Sequence, residues 1–309
     1  MTAYYRFGDA TVTGKRAYAS VPADWPNREY SRMHTSYGTQ WHVQRAGSGP
    51  LLLLIHGTAA STHSFRDLLP ALARNFDVLA FDLPGHGYTS RLPDRSMSLP
   101  AISRGIAGLL ETLDVSPEYL VGHSAGAAIA LRLALDGAAG VRKIVGLNAA
   151  LLPFGGLMTN LFSPLAYFFA STRLMPYMLA RRAADGAAVE RVIRGTGSVL
   201  SDEGLALYQR LFRREEHIAA VLAMMAAWDL SKMRSDLERL EPRLLLVSGG
   251  RDRAVDPAEA GRVAQHIAGA EVALLEDCGH LAHEEQPARI SAVIRDFLTA
   301  TQVECGGAG

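Results

Sequence analysis

Five residues near the middle of the chain, Gly122-His123-Ser124-Ala125-Gly126, restrict its fold more than any other stretch. They match G-x-S-x-G and sit between an apolar run, Tyr119–Val121, and a helical run, Ala125–Asp136. A serine at such a strand-to-helix turn occupies a strained backbone conformation. Glycines on either side let neighbouring chain approach where a Cβ would clash. The hydroxyl then projects above a sheet at a helix N-terminus, where the helix dipole favours developing negative charge. With 29 glycines the pattern arises by chance easily, so its weight comes from the strand–turn–helix context.

That context repeats along the chain. Leu51–Ile55, Val78–Phe81, Arg142–Leu147, Arg243–Val247 and Glu271–Leu275 read as strands, and the first is apolar throughout, as in a strand covered on both faces. Trp41–Gln44 is a further strand. Ser64–Ala73, Leu99–Leu113 and Gln286–Thr299 read as helices. A helix from Asp256, the N-cap, and Pro257, its first residue, is expected to run to about Ala268. Strands alternating with helices imply a mostly parallel central sheet with helices on both faces, an α/β fold. Residues 1–35 read as an irregular N-terminal arm. The alternation stops at residues 149–232, where Leu, Met, Ala and aromatic residues recur at helical spacing. The expected organisation is a core of residues 1–148 and 233–309 with a helical cap inserted at 149–232.

A serine hydroxyl needs a base. Asp252 follows the strand ending near Val247, and His280 follows the strand ending near Leu275. Both stand at C-terminal strand ends, where open α/β sheets place their sites. Ser124, Asp252 and His280 are therefore the candidate catalytic triad, in the order Ser, acid, His. His280 takes the serine proton, and Asp252 sets its tautomer. Asp256 is the rival acid, explained by its capping position. Asp277 and His283 read as loop residues beside the histidine, with substrate contact by His283 as the sharper alternative. An oxyanion hole needs two amides, and the candidates are Ala125, after the nucleophile, and Thr58, in His56-Gly57-Thr58 after the first buried strand. His56 reads as a structural hydrogen-bonder, and Asp82–Gly87 as a tight loop.

Composition removes other classes. Lys plus Arg equals Asp plus Glu at 31 each, so nothing in the charge calls for nucleic acid. No apolar run reaches the length of a membrane span, and the N-terminus lacks the apolar core of a secretory signal. Two cysteines make no disulfide framework, so the expected compartment is the cytoplasm. There is no G-x-G-x-x-G, Walker A or H-E-x-x-H pattern, so no cofactor and no metal are implied. A serine at the nucleophile position argues against dehalogenase or epoxide-hydrolase chemistry.

The insert carries Phe154, Met158, Phe162, Tyr167, Phe168, Phe169, Met175, Tyr177, Met178, Tyr208, Phe212, Met224, Met225 and Trp228. Most belong to its own core on the plain reading; the sharper one has a fraction of them line a pocket for a bulky apolar ligand. Arginines 173, 181, 182, 191 and 194 read as a solvated face, with peripheral membrane contact as the alternative.

Taken in order, His56-Gly57, Asp82–Gly87, the Ser124 elbow, Asp252, Gly279-His280 and Glu285-x-Pro287 resemble the α/β-hydrolase superfamily. A narrower resemblance spans Trp25–Arg28, Trp41–Arg45, His56–Thr58, Gly122–Ala128, Asn148–Pro153 and Ala227–Leu230, which look like the magnesium-chelatase accessory proteins of bacteriochlorophyll biosynthesis. That resemblance implies a role near magnesium insertion, with a tetrapyrrole or chelatase subunits as partners. Two readings follow: a serine hydrolase acting on an ester of a bulky apolar substrate, or a porphyrin-binding accessory protein in which the triad matters little.

Overall fold

The computed structural model describes residues 21–137, 140–152, 174–183 and 185–300. Eight strands form one sheet: β1 (Ser31–Ser36), β2 (Thr39–Gly47), β3 (Leu51–Ile55), β4 (Asp77–Phe81), β5 (Tyr119–His123), β6 (Lys143–Leu147), β7 (Arg243–Gly249) and β8 (Glu271–Leu275). Their spatial order is β1-β2-β4-β3-β5-β6-β7-β8. The β1–β2 and β2–β4 pairs are antiparallel, and every other pair is parallel.

Residues alternate across this sheet, so a central strand such as β3 feeds two cores. Leu51, Leu53 and Ile55 pack with Ile102, Ile106 and Leu109 of α2 (Leu99–Thr112) and Ala128 and Leu131 of α3 (Ala125–Leu135). Leu52 and Leu54 face the opposite layer, with Leu69 of α1 (Leu68–Leu72) and Ile290, Ile294 and Phe297 of α11 (Pro287–Thr299). At the C-terminus of α11, where carbonyls lack helical partners, the Lys143 ammonium donates to the carbonyls of Phe297, Leu298 and Ala300 at 2.9, 2.8 and 2.7 Å.

Three expectations need correction. The last part of the expected arm is ordered: Arg28–Tyr30 is a 3₁₀ turn and β1 is an edge strand. Its side chains are largely exposed, so it carries no apolar pattern for a sequence reading to catch. The helix expected over 64–73 is a 3₁₀ turn at Thr62–Phe65 followed by α1, which starts two residues before Pro70, within the turn where a missing N–H costs nothing. The helix expected from Asp256 begins only at Glu259 and ends at Ala264 (α9). Asp256 Oδ1 accepts from Ala258 N at 3.0 Å and caps a turn ahead of the helix.

Between β6 and β7 the described chain is helical: α4 (Leu174–Arg182), α5 (Gly186–Gly195), α6 (Asp202–Phe212), α7 (Glu215–Ala227) and α8 (Met233–Leu237). Residues 153–173, which include Phe154, Met158, Phe162, Tyr167, Phe168, Phe169 and Arg173, lie outside the described residues, as do 1–20. Among the described residues no helix is long and apolar enough to cross a membrane.

One buried charge organises the sheet's N-terminal half. Asp82, fully buried after β4, accepts from His42 Nδ1 at 2.8 Å, from Thr62 N at 2.7 Å and from Tyr88 N at 2.8 Å. Burial works to raise its pKa, but the His42 contact and these donors hold the carboxyl well below the ordinary carboxylate range. Asp82→Ala strands three donors at once and is expected to lower the unfolding free energy by about 3–5 kcal/mol, read from a urea melt. A depressed folded pKa means this contribution is complete above about pH 4 and is lost as the pH falls below it.

Candidate active site

The β5–α3 turn has the strained geometry its sequence demands. Ser124 sits at φ 52°, ψ −119°, and its side chain makes no capping bond to the helix it opens. Ser124 N donates to Leu147 O on β6 at 2.9 Å, locking the turn to the next strand. Two glycines make the turn possible. A Cβ on Gly126 would lie 2.1 Å from Ile55 O, and one on Gly122 would lie 2.4 Å from Gly126 O. Ser124 alone in this stretch is partly exposed, while its four neighbours are buried.

The acid and the histidine meet across the ends of β7 and β8. Asp252 Oδ2 lies 2.8 Å from His280 Nδ1. Its other oxygen, Oδ1, accepts from Ala254 N at 2.8 Å and Val255 N at 2.9 Å, so the carboxylate is clamped by its own loop. Burial works to raise the Asp252 pKa, but the His280 contact and these donors keep it below the usual carboxylate value. With Nδ1 bound to a carboxylate, Nε2 is the nitrogen available for proton exchange.

The sequence assigned no role to three polar groups that fasten this pair and the loop around it. Asn148, after β6, donates from Nδ2 to Asp252 Oδ2 at 2.8 Å and to Gly279 O at 3.2 Å. Glu285 Oε1 accepts from Gly279 N at 3.0 Å. Ser198, in the loop between α5 and α6, donates to neither but accepts from Leu281 N at 2.8 Å. The signal for Asn148 was available: a polar residue directly after a buried parallel strand stands at the same sheet edge as Ser124.

His123 ties the His280 loop to the Ser124 turn. Its Nε2 donates to His280 O at 2.9 Å, and its ring lies 4.4 Å from His283 and 4.8 Å from His280, centroid to centroid. Burial, with His280 adding to it, lowers the His123 pKa to about 3, so the ring is neutral. The His283 side chain is wholly buried behind this turn, against His123 and Phe65, and not on a surface a ligand would meet. Asp277 is exposed and binds Gln286 and Arg289. Asp256 is likewise exposed and paired with Arg262.

On the other side of Ser124 the chain leaves β3. A Cβ on Gly57 would lie 3.0 Å from Ser124 Cβ, so the Gly57–Thr58 peptide runs directly beside Ser124. Gly57 O accepts from His56 Nδ1 at 2.8 Å and from Ala60 N at 3.2 Å. His56 Nε2 accepts from Leu83 N at 2.8 Å, so this buried ring is spent on structure. Because the peptide is trans, its N–H points opposite to the doubly held carbonyl. Neither Thr58 N nor Ala125 N donates to a backbone carbonyl among the described residues.

The helices after β6 sit close over this edge. Met224, fully buried, receives the Thr58 hydroxyl at 3.7 Å. Tyr208 is buried too, and its hydroxyl donates to Glu284 Oε1 at 2.7 Å, while Arg66 binds the other carboxylate oxygen. Met225 and Trp228 are half-buried, whereas Tyr177 and Met178 are exposed. Arg181, Arg182, Arg191 and Arg194 are also exposed. Among the described residues no cluster of three or more His, Cys, Asp or Glu is placed to hold a metal ion.

Gly126→Ala drives a methyl into the Ile55 carbonyl and is expected to cost about 1–3 kcal/mol, measured by thermal or denaturant unfolding. An unchanged melting curve would show that the turn does not need the close approach.

Comparison with known proteins places this geometry in a family. A model of the alpha/beta hydrolase family matches residues 52–293. The magnesium-chelatase 30 kDa subunit of Rhodobacter capsulatus is 35% identical over 281 residues, covering 90% of this chain and 98% of the relative. A 2-hydroxy-6-oxo-2,4-heptadienoate hydrolase of Pseudomonas putida is 26% identical, covering 89% of this chain and 98% of its own. Among solved structures, an alpha/beta hydrolase fold protein from Burkholderia ambifaria superposes with a TM-score of 0.71 at 26% identity, covering 86% of this chain and 97% of that one. The enol-lactonase of Burkholderia xenovorans superposes at 0.69 with 23% identity, covering 87% and 100%. The chain belongs to the alpha/beta hydrolase family and is a relative of the magnesium-chelatase 30 kDa subunit.

Proposed function

We propose that this protein is a serine hydrolase that cleaves an ester of a bulky, apolar substrate. The observation that carries the reading is the Asp252–His280 pair, 2.8 Å apart and fastened through His123 to the strained turn that presents Ser124. In the reaction Ser124 Oγ attacks the ester carbonyl carbon and gives its proton to His280 Nε2. Asp252 stabilises the resulting imidazolium and holds its tautomer. The Thr58 and Ala125 amides receive the oxyanion. Collapse of the intermediate expels the alcohol, which takes the proton from His280. Water, deprotonated by the same nitrogen, then releases the acid and restores Ser124.

Residues 149–232 act in this reading as a cap that excludes water over Ser124 and supplies the apolar wall. Met224 against Thr58 and half-buried Met225 and Trp228 support that assignment. The 35% identity to a magnesium-chelatase subunit supports a role in bacteriochlorophyll biosynthesis near magnesium insertion, with a tetrapyrrole ester as the substrate class. The same relative favours a second reading, in which the protein binds a porphyrin or chelatase subunits as an accessory and the triad contributes little.

A fluorophosphonate probe separates the two. Wild type is expected to be labelled at Ser124 and Ser124→Ala not at all, with ester turnover falling by a factor of about 10⁴ or more while the circular dichroism spectrum is unchanged. An unlabelled, folded wild type that binds porphyrin with equal affinity before and after Ser124→Ala would establish the accessory reading instead. Asp252→Asn removes the charge that holds the His280 tautomer and is expected to reduce turnover about 10⁴-fold in the same assay.

A further inference from the structure

The helix that covers the site also grips the loop beside it. His217, on α7, is 1% exposed and bridges two loops of the sheet edge. Its Nδ1 accepts from Gly87 N at 3.1 Å, which places the ring proton on Nε2, and Nε2 donates to Ala59 O at 3.2 Å. Ala59 follows Thr58 and stands at φ 68°, a conformation a non-glycine residue keeps only when its surroundings hold it. Two further α7 residues on the same helical face continue the contact. A Cβ on Gly85 would lie 2.6 Å from Ala220 Cβ, and Met224 meets the Thr58 hydroxyl.

The Thr58 amide is therefore held from both directions. His56 and Ala60 N fix the carbonyl of its own peptide, Gly57 O, and His217 fixes Ala59 O, the second carbonyl beyond it. The first hold comes from the chain just after β3, and among the described residues the second comes from α7. We propose that His217 is a positioning residue through which the helical insert sets the orientation of the Thr58 amide, so that the oxyanion hole is complete only when α7 is seated. The inference rests on the serine-hydrolase reading above.

His217 stays neutral in this role. Burial pushes its pKa well below the ordinary histidine value, and His86, whose ring lies 5.2 Å away, pushes it in the same direction. The Gly87 amide facing Nδ1 needs that lone pair. The Phe212 ring lies 6.2 Å from that of His217, centroid to centroid, with the two planes 25° apart.

Three variants separate the two hydrogen bonds. His217→Phe keeps the ring and loses both. His217→Gln keeps an amide N–H near the Nε2 position and so the donor to Ala59 O. His217→Asn keeps an oxygen near the Nδ1 position and so the acceptor for Gly87 N. The readouts are the second-order rate of fluorophosphonate labelling, kcat and KM for a p-nitrophenyl ester, and hydrogen exchange of peptides covering residues 56–60 and 83–88. Phe and Asn are expected to lower the labelling rate and kcat about 10²-fold with KM nearly unchanged, because an oxyanion donor acts on the transition state. Gln is expected to recover to within about tenfold of wild type. Exchange at 56–60 is expected to rise in Phe and Asn and not in Gln.

Wild-type rates in folded His217→Phe, or Gln and Asn equally impaired, would overturn the inference and leave the hydrolase reading standing. A wild type that neither labels nor cleaves the ester would instead remove the hydrolase reading, and the catalytic role of His217 with it. If His217→Phe does not fold, the contrast between Gln and Asn still decides.

Discussion

Everything at the candidate site depends on three stretches of backbone packing closer than side chains allow. The Ser124 turn holds φ 52° because Gly122 and Gly126 leave no Cβ between the turn, the start of α3 and the end of β3. Gly57 does the same on the facing side, where its missing Cβ leaves room for Ser124 Cβ and His123 Nδ1. The strain at Ser124 is held by hydrogen bonds to a neighbouring strand, with Leu147 O accepting from Ser124 N. Parallel strand order then puts the acid and histidine loops on the same edge, since β5, β6, β7 and β8 are successive neighbours.

Around that edge, buried histidines serve mainly as neutral hydrogen-bonding wedges. His56 links the end of β3 to the start of the Asp82–Gly87 loop, His123 links the Ser124 turn to the His280 carbonyl, and His217 links α7 to the loops holding Ala59 and Gly87. An imidazole suits this work because each neutral ring offers one donor and one acceptor on opposite sides. Burial keeps the rings uncharged: His63, His86 and His123 are each lowered to about 3. Asp252 lies beside His280 at the candidate site, and Asp82 with His42 serves the structural side.

The helices after β6 are fastened to the sheet by polar contacts as well as apolar ones. Glu259 Oε1 accepts from Leu151 N and Leu152 N at 2.8 and 2.9 Å where the chain leaves the sheet. Tyr208 and Arg66 share the Glu284 carboxylate, and Ser198 accepts from Leu281 N beside His280. A Cβ on Gly279 would lie 2.4 Å from the Gly197 carbonyl, so the loop before α6 packs directly on the histidine loop. Movement of these helices would therefore disturb both halves of the site.

The sequence by itself determined the parallel sheet, the Ser124 elbow and the positions of Asp252 and His280. Those features are local: unbroken apolar runs such as Leu51–Ile55, glycines at fixed offsets, and polar residues just after strands. The bounds of the helix after Asp256 and the edge strand Ser31–Ser36 were not legible, because capping geometry and exposed edge pairing leave little pattern. Asn148 on Asp252, His123 on the His280 carbonyl and His217 on Ala59 were decided only by the tertiary structure. Each joins residues 104 to 158 positions apart, and no spacing rule reaches across a fold to say which buried donor meets which acceptor.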